Sequence, residues 1–427
     1  MIIARRFFYP SFVLIFLSIL LSTVSAQPGK GGERGKPPGF FEKVFLSDGD
    51  SIDCYLAFRI PFDKLIFVKN GDLFSSGVKI DLEIINRNGL IDRKSYSKST
   101  VAINYEESKS KSRFLEGFIK IKIDDGDYVI YPVIQIGNVK ESFKLDSVSI
   151  SAGEIKKGNL LHPVIVESLP DECINNGSYR LVNNSNSIPF APNDYLMIIP
   201  LTGSPAEVYS LKILQKGKTL FHEESVKPGN GKLSLSFCND AVVISDSNTN
   251  RKTNYIIVKG FNKKLDEGPV EIIIESDGKE EKFKMSVDWL NKPFTLFNPV
   301  LSAELLEIIY SREELLPILK SSNDEKYEAL IDFWDKKLPG REYRFNELMN
   351  EFYSRADYAA QNFSTIANPA GARTDRGKIY IRFGRPDDIK RDYSSGYGTV
   401  EIWYYYDLKK EFIFTDKTGL GNYILSK

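Results

Sequence analysis

Histidine is almost missing: only His162 and His222 occur in 427 residues. They stand far apart, and no His-Glu-x-x-His pair is present. His222 precedes Glu223-Glu224, which reads as a surface hairpin in preference to a ligand cluster. Cysteine is nearly as scarce. Cys54, Cys173 and Cys238 show no Cys-x-x-Cys spacing, which removes the zinc and dithiol redox motifs. Net charge is absent as well. Lys+Arg and Asp+Glu each number 57, so no bulk field draws the chain to nucleic acid or to an acidic surface. No basic stripe with interleaved aromatics marks a nucleic-acid site either. The chain has no Gly-x-Ser-x-Gly elbow and no phosphate-binding glycine loop. A Ser-His-Asp set gathered from distant positions is the nucleophilic arrangement left open. No cofactor and no metal site is expected.

The length corresponds to two to four domains. Tyr and Phe number 22 and 28, a supply that suits strands and sandwich cores. Long apolar text occurs at the start. Arg5 and Arg6 precede an apolar core over 12–21, and Val24-Ser25-Ala26 is a small-residue site. This is the layout of a signal peptide over 1–26, cut before Gln27. An uncleaved anchor is the competing reading, but the run is short for a spanning helix and follows Pro10. No membrane span is expected after cleavage, and the protein is expected to be periplasmic, outer-membrane-associated or secreted. Residues 27–40 are Gly/Pro/Lys-rich without apolar period, a flexible linker.

Residues 41–138 read as strands. In VKIDLEII, Val78, Ile80, Leu82 and Ile84 share one face and Lys79, Asp81 and Glu83 the other. This period of two marks a half-buried antiparallel strand. Asn86-Arg87-Asn88-Gly89 and Asp124-Asp125-Gly126 read as hairpin turns. Seven or eight such runs predict an antiparallel β-sandwich. Residues 139–293, opening with SFKLDSVSI, repeat the pattern and predict a second sandwich, with turns at Gln215-Lys216-Gly217-Lys218 and Ser276-Asp277-Gly278-Lys279. Export permits disulfides. Cys173 and Cys238 fall in this domain and are candidates to pair, leaving Cys54; three small buried residues without a bond is the other reading. The Asn-x-Ser sequons at Asn176, Asn183 and Asn362 carry weight only where the source glycosylates.

The period changes over 294–366. Ser302 is a candidate helix cap, and Ser311-Arg312-Glu313-Glu314 is a capping box. Tyr327, Leu330, Ile331 and Trp334 make one helical face, stopped by Pro339-Gly340. Phe345, Leu348, Phe352, Ala356, Ala359 and Phe363 make a second stripe, with Glu351 and Arg355 one turn apart on its polar side.

The last stretch, 367–427, is densest in glycine turns, aromatics and paired charges. Thr374-Asp375-Arg376-Gly377 reads as a turn into a strand, KIYIRF, with Ile379, Ile381 and Phe383 on one face. Gly384-Arg385-Pro386-Asp387-Asp388 ends it, RDYSSGYG forms a loop, and the strands EIWYYY, FIFTD and NYILS complete a small sheet. Alternation sends Trp403 and Tyr405 one way and Tyr404 and Tyr406 the other.

The spaced set SRADYAAQNF, Gly371-x-x-Thr374-Asp375-Arg376-Gly377, Phe383-Gly384-x-Pro386-Asp387, Glu401-Ile402-Trp403-Tyr404-Tyr405 and Phe414-x-Asp416 resembles the GWxTD domain. That family of exported bacterial proteins is named for a Gly-Trp-x-Thr-Asp motif. The resemblance covers roughly 340–427, and Ala372 stands where the family carries tryptophan, removing a large aromatic anchor. The whole is expected to be mainly β with an α+β C-terminus: two sandwiches, a helical segment and a small GWxTD-like module.

Candidate functional residues are Thr374, Asp375, Arg376, Gly377, Gly384, Pro386, Asp387, Glu401, Trp403 and Tyr405. With no catalytic signature, the first expectation is a non-enzymatic binding or scaffold protein of the cell envelope, with an envelope protein or glycan as partner. The alternative is an envelope hydrolase or glycan-processing enzyme, which requires Asp375, Asp387 and Glu401 to converge in one cleft. Against it, a threonine–aspartate pair is a common turn starter, and Arg376 is free to clamp that turn or to pair with Glu401.

Overall fold

The computed structural model describes residues 41–48, 51–123, 126–137, 142–155, 159–169, 173, 178–183, 185–247, 253–365, 368–393 and 398–426. The signal-peptide and linker readings, the Asp124-Asp125 turn pair and the Asn176 sequon lie outside them, as do residues 394–397 of the loop at 391–398. Strand occupies 49% and helix 21%, so the fold is mainly β with an α+β C-terminus.

The first sandwich faces a three-stranded antiparallel sheet, Phe41–Asp48, Ser51–Pro61 and Phe114–Ile121, against a six-stranded one. Leu73–Asn86 is the centre of the larger sheet and pairs with Val68–Asn70, Gly89–Ala102 and Asp127–Ile136. Its alternation works as the period of two requires: Val78, Ile80, Leu82 and Ile84 are buried against Leu56, Phe58 and Ile60. The SFKLDSVSI run belongs here and not with the second sandwich. Its strands Ser142–Lys144 and Val148–Ser151 both pair with Asp127–Ile136.

In the second sandwich one sheet closes on itself. Val164–Ser168, Tyr179–Leu181, Ala241–Ser247, Gly229–Cys238, Thr253–Lys259 and Tyr195–Leu201 form a ring. It shares a core with a five-stranded sheet, Ile165, Met197, Ile199, Ile256 and Val258 packing with Leu211, Ile213, Ile272 and Ile274. The hairpin turns are of the type whose twist suits flanking strands. Lys216 and Gly217 have φ 50° and 74°, Asp277 and Gly278 49° and 70°. Cys173 and Cys238 are bonded, with Cα atoms 6.1 Å apart. Cys54 stays free and buried, its thiol pushed up to about 12 by burial.

The sandwiches share an apolar seam in which Val44, Leu46, Tyr55 and Ala57 meet Val164, Val166, Leu196 and Ile198. Two carboxylates are buried beside it. Glu116 accepts from Arg180 at 2.6 Å and from the Val242 amide at 3.0 Å, with the Arg59 guanidinium 2.8 Å away. Glu42 accepts the Asn186 amide at 2.7 Å.

Helices follow. The first, Pro299–Leu305, is capped by Asn298, whose side chain takes the Leu301 amide; Ser302 is buried one turn in and bonds the carbonyls of Thr295 and Asn298 instead. The earlier residue wins because Pro299 is preset for the first helical position. Arg312–Lys320 opens on the Ser311–Glu314 capping box, both halves formed. Lys326–Lys337 and the long helix Glu347–Asn362 bury Leu330, Trp334, Met349, Phe352, Tyr353, Ala356 and Ala359 in one core with the C-terminal sheet. Leu348, placed in the apolar stripe by spacing, is 44% exposed; Met349 and Tyr353 take the core positions. Glu351 and Arg355 pair at 2.6 Å.

The largest departure from the sequence expectation is KIYIRF. Residues Asp375–Phe383 are a helix, not a strand. Ile379, Ile381 and Phe383 therefore do not line one face of a sheet. The terminal antiparallel sheet comprises Asp388–Asp392, Thr399–Tyr405, Lys410–Asp416 and Ile424–Leu425.

Candidate functional site

The helix at Asp375–Phe383 begins where its chemistry demands. Thr374 Oγ1 accepts the Gly377 amide at 3.0 Å and donates to the Gly371 carbonyl at 2.7 Å. The threonine thus caps the helix and ties it to the preceding turn, Gly371–Arg373. Both glycines are needed for close approach. A Cβ on Gly371 would lie 2.5 Å from the Ala359 carbonyl oxygen, and one on Gly377 2.1 Å from that of Gly371. The Gly-x-x-Thr-Asp-Arg-Gly spacing therefore nests a turn between two helices. Gly377→Ala is expected to destabilise the protein by about 3 kcal/mol, the upper end for overpacking, because the opposing atom is backbone and cannot rotate away. Urea titration followed by tryptophan fluorescence checks this.

Asp375 points away from the core, and its Oδ2 accepts the Leu425 amide at 2.9 Å. Arg376 points inward. Its guanidinium lies 4.1 Å from the Tyr423 ring centroid and 5.2 Å from that of Phe363, with Glu401 at 3.6 Å. Glu401, 1% exposed, also receives Arg391 Nε at 2.8 Å and the Trp403 indole N–H at 2.6 Å. This is a buried carboxylate with every approach occupied. Trp403 itself packs on Phe363 and Phe414 at 5.5 and 4.9 Å.

Gly384 terminates the helix at φ 81°, its amide bonded to the Tyr380 carbonyl at 2.7 Å. The same residue makes room for Arg355, whose Cζ would be 3.1 Å from a Cβ there. Tyr405 is buried and donates to the Gly384 carbonyl at 2.8 Å. Pro386 is buried in the turn, and Asp387 accepts the Tyr406 amide at 2.7 Å. Trp403 and Tyr405 thus belong to the core. Tyr404 and Tyr406 lie on the outer face, stacked with centroids 6.0 Å apart, Tyr406 61% exposed.

The candidate residues are therefore neighbours in one module, but Asp375, Asp387 and Glu401 do not converge. Each carboxylate is held by a different partner: a strand amide, a turn amide, and a pair of arginines. Among the described residues no group of three His, Cys, Asp or Glu is placed to hold a metal ion. His162 packs edge-on to Phe283 and is half-buried, while His222 sits in the strand Lys218–Val226 across from Lys212. No helix among the described residues is long and apolar enough to cross a membrane.

Two participants are not among the sequence candidates, although Asp416 stands in the motif set. Arg391 faces Glu401 in the hairpin register, which is invisible until that register is known. Asp416 accepts the amides of Thr418, Gly419 and Gly421 and the Thr418 hydroxyl. Its burial works to raise its pKa, but these bonds hold it below the usual carboxylate value. The signal for it was there in Asp416-x-Thr418-Gly419, the text of a side-chain-closed turn.

Comparison with known proteins agrees with this module. Residues 276–426 match the GWxTD domain, so the C-terminal part of the chain carries that domain. The match begins in the last hairpin of the second sandwich and takes in the helices from Pro299 onward, well upstream of the motif. No curated protein matches the chain.

Proposed function

We propose that this GWxTD domain is the interaction element of an exported cell-envelope protein that binds or scaffolds other molecules without catalysing a reaction. The sandwiches hold it at a distance and add surfaces of their own. The observation that carries this reading is what the domain leaves outside once its motif residues are spent. Thr374, Gly377, Glu401, Trp403 and Tyr405 are consumed by caps, close packing and core contacts. Two stacked tyrosine pairs remain on the surface: Tyr404 with Tyr406, and Tyr358 with Tyr380, the latter with centroids 4.4 Å apart. Exposed tyrosine is enriched at protein interfaces. Export follows from the charged, apolar and small-residue order of the first 26 residues.

A photo-crosslinking amino acid placed at Tyr406 or at Tyr358, in cells of the source organism, tests the reading. A discrete adduct from either position, absent when the crosslinker replaces exposed Ser97 on the first sandwich, is the expected result. Adducts no different from those at Ser97, or turnover of an envelope glycan by the purified protein, would overturn it.

A further inference from the structure

The two tyrosine pairs differ in their surroundings. Tyr404 and Tyr406 stand among charges of both signs, Lys390, Asp388 and Glu411. Tyr358 and Tyr380 stand among arginines. Tyr358 projects from the long helix and is 45% exposed; Tyr380 projects from the motif helix beneath it, half-buried. Arg355 comes from the turn of the long helix before Tyr358, and Arg385 from the turn after the motif helix. The Gly384 amide bonds the Tyr380 carbonyl at 2.7 Å, so the turn that carries the exposed Arg385 starts at the end of Tyr380's own helix. Burial pushes the Tyr380 phenol up, with Tyr358 and Glu351 acting in the same direction and Arg385 and Arg355 against it. Arg355 already bonds Glu351. Among the described residues Arg385 makes no ion pair or hydrogen bond, and the Tyr380 hydroxyl has no hydrogen-bond partner. The cluster therefore has one uncompensated positive charge and an unused hydroxyl, beside a ring surface open to solvent.

This arrangement has a builder. Glycine at 384 admits the Arg355 guanidinium under the turn, and the next residue, Arg385, is exposed. A side chain at 384 would displace Arg355. The Gly-Arg-Pro-Asp turn thus ends the helix that carries Tyr380, seats Arg355 against Gly384 and leaves Arg385 exposed next to it.

We propose that Tyr358, Tyr380, Arg355 and Arg385 form a docking site for an acidic segment of a partner polypeptide. A carboxylate of that segment takes Arg385 and the Tyr380 hydroxyl, and a neighbouring ring or apolar side chain lies on the exposed surface of Tyr358. Arginine's planar fork suits a carboxylate. Tyrosine and arginine are the residues on which protein interfaces concentrate their binding energy. The inference rests on the reading of the domain as an interaction element and adds the partner's chemistry and the place it docks.

The test is selection of a random displayed peptide library on the full chain, followed by anisotropy titration of the selected peptides. The expected outcome is peptides carrying Asp or Glu next to an aromatic residue. Their affinity should fall about tenfold or more with Arg385→Ala and with Tyr358→Ala. It should fall likewise when the peptide's acid is changed to its amide, and weaken as salt rises. Far-UV circular dichroism confirms that both variants fold. Selection of no peptide, selection of peptides without acids, or equal binding by the Arg385→Ala and Tyr358→Ala variants would overturn the proposal. So would binding of acidic oligosaccharides with no binding of peptides. Crosslinking separates the two levels: an adduct from Tyr406 but none from Tyr358 leaves the domain an interaction element and removes this site.

Discussion

Replacing Glu401 with alanine is expected to destabilise the C-terminal domain by about 3–5 kcal/mol, the cost of stripping one partner from a buried charge pair. The reason lies in what is left behind. Arg376 is 13% exposed at its side chain and held between Phe363 and Tyr423, so water cannot replace the lost carboxylate. The Trp403 indole N–H loses its acceptor in the same step. Arg391 is the internal control. It makes the shorter bond to Glu401, 2.8 Å against 3.6 Å, yet its side chain is 53% exposed. Solvent screens that contact, and Arg391→Ala should cost less than about 1 kcal/mol. Burial, not distance, decides between the two arginines. The readout is local. The three tryptophans, Trp289, Trp334 and Trp403, all fall within the matched domain. Trp334 and Trp403 lie in its helical and C-terminal core, while Trp289 packs on Phe190 at the edge of the second sandwich, so denaturation followed by their fluorescence reports mainly this domain and not the first sandwich. A loss below about 1 kcal/mol for Glu401→Ala would mean that water reaches Arg376 after all.

The same residues show why the sequence was readable in some places and not in others. Val78 to Ile84 were legible because one face of their strand meets a core and the other meets water, so burial imposes the period. Gly89–Ala102 and Lys218–Val226 were hard to see. Their faces carry Ser, Lys, Thr and Glu, and their pairing partners, not their own composition, make them strands. The capping box at Ser311 was legible because all its atoms lie within four residues. KIYIRF misled for a physical reason. Ile-Tyr-Ile-Arg-Phe alternates and is rich in β-formers, whereas its helical conformation comes from the Thr374 cap before it and from packing against the long helix. Tertiary contact overrode local preference there. The cap itself is visible in Thr-Asp-Arg-Gly, but a threonine oxygen bonding a nearby amide begins a turn and a helix alike. At the site, the alternation of Trp403 and Tyr405 against Tyr404 and Tyr406 follows from sequence, whereas which pair faces inward does not. The partnership of Glu401 with Arg376 is one of two roles that the sequence leaves open to that arginine. That of Arg391 was out of reach, because it depends on a register set by a loop.

A second large effect concerns the seam between the sandwiches and shows itself as a pH dependence. Glu42 is raised from an ordinary 4.5 to about 7, by burial above all, with the Asn186 amide, Lys43 and Asn183 pulling the other way. A carboxyl whose folded pKa lies above its unfolded one takes up a proton on folding. Its protonated form suits the folded state, so stability is greatest below about 4.5, declines as pH rises from there to about 7, and is level beyond. The decline amounts to about 3 kcal/mol at roughly 1.4 kcal/mol per unit. Other groups oppose this trend, Asp416 among them, because its carboxylate is favoured by folding. The prediction is therefore a difference. Glu42→Gln keeps an acceptor for the Asn186 amide and removes the titration. Above about pH 7 the variant should be more stable than the parent by about 3 kcal/mol, and the gap should close towards pH 4.5. Calorimetry over that range measures it, since tryptophan does not report on the seam. A gap that is constant with pH would mean that Glu42 stays ionised in the folded protein, held by Lys43 and the Asn186 amide against the cost of its burial.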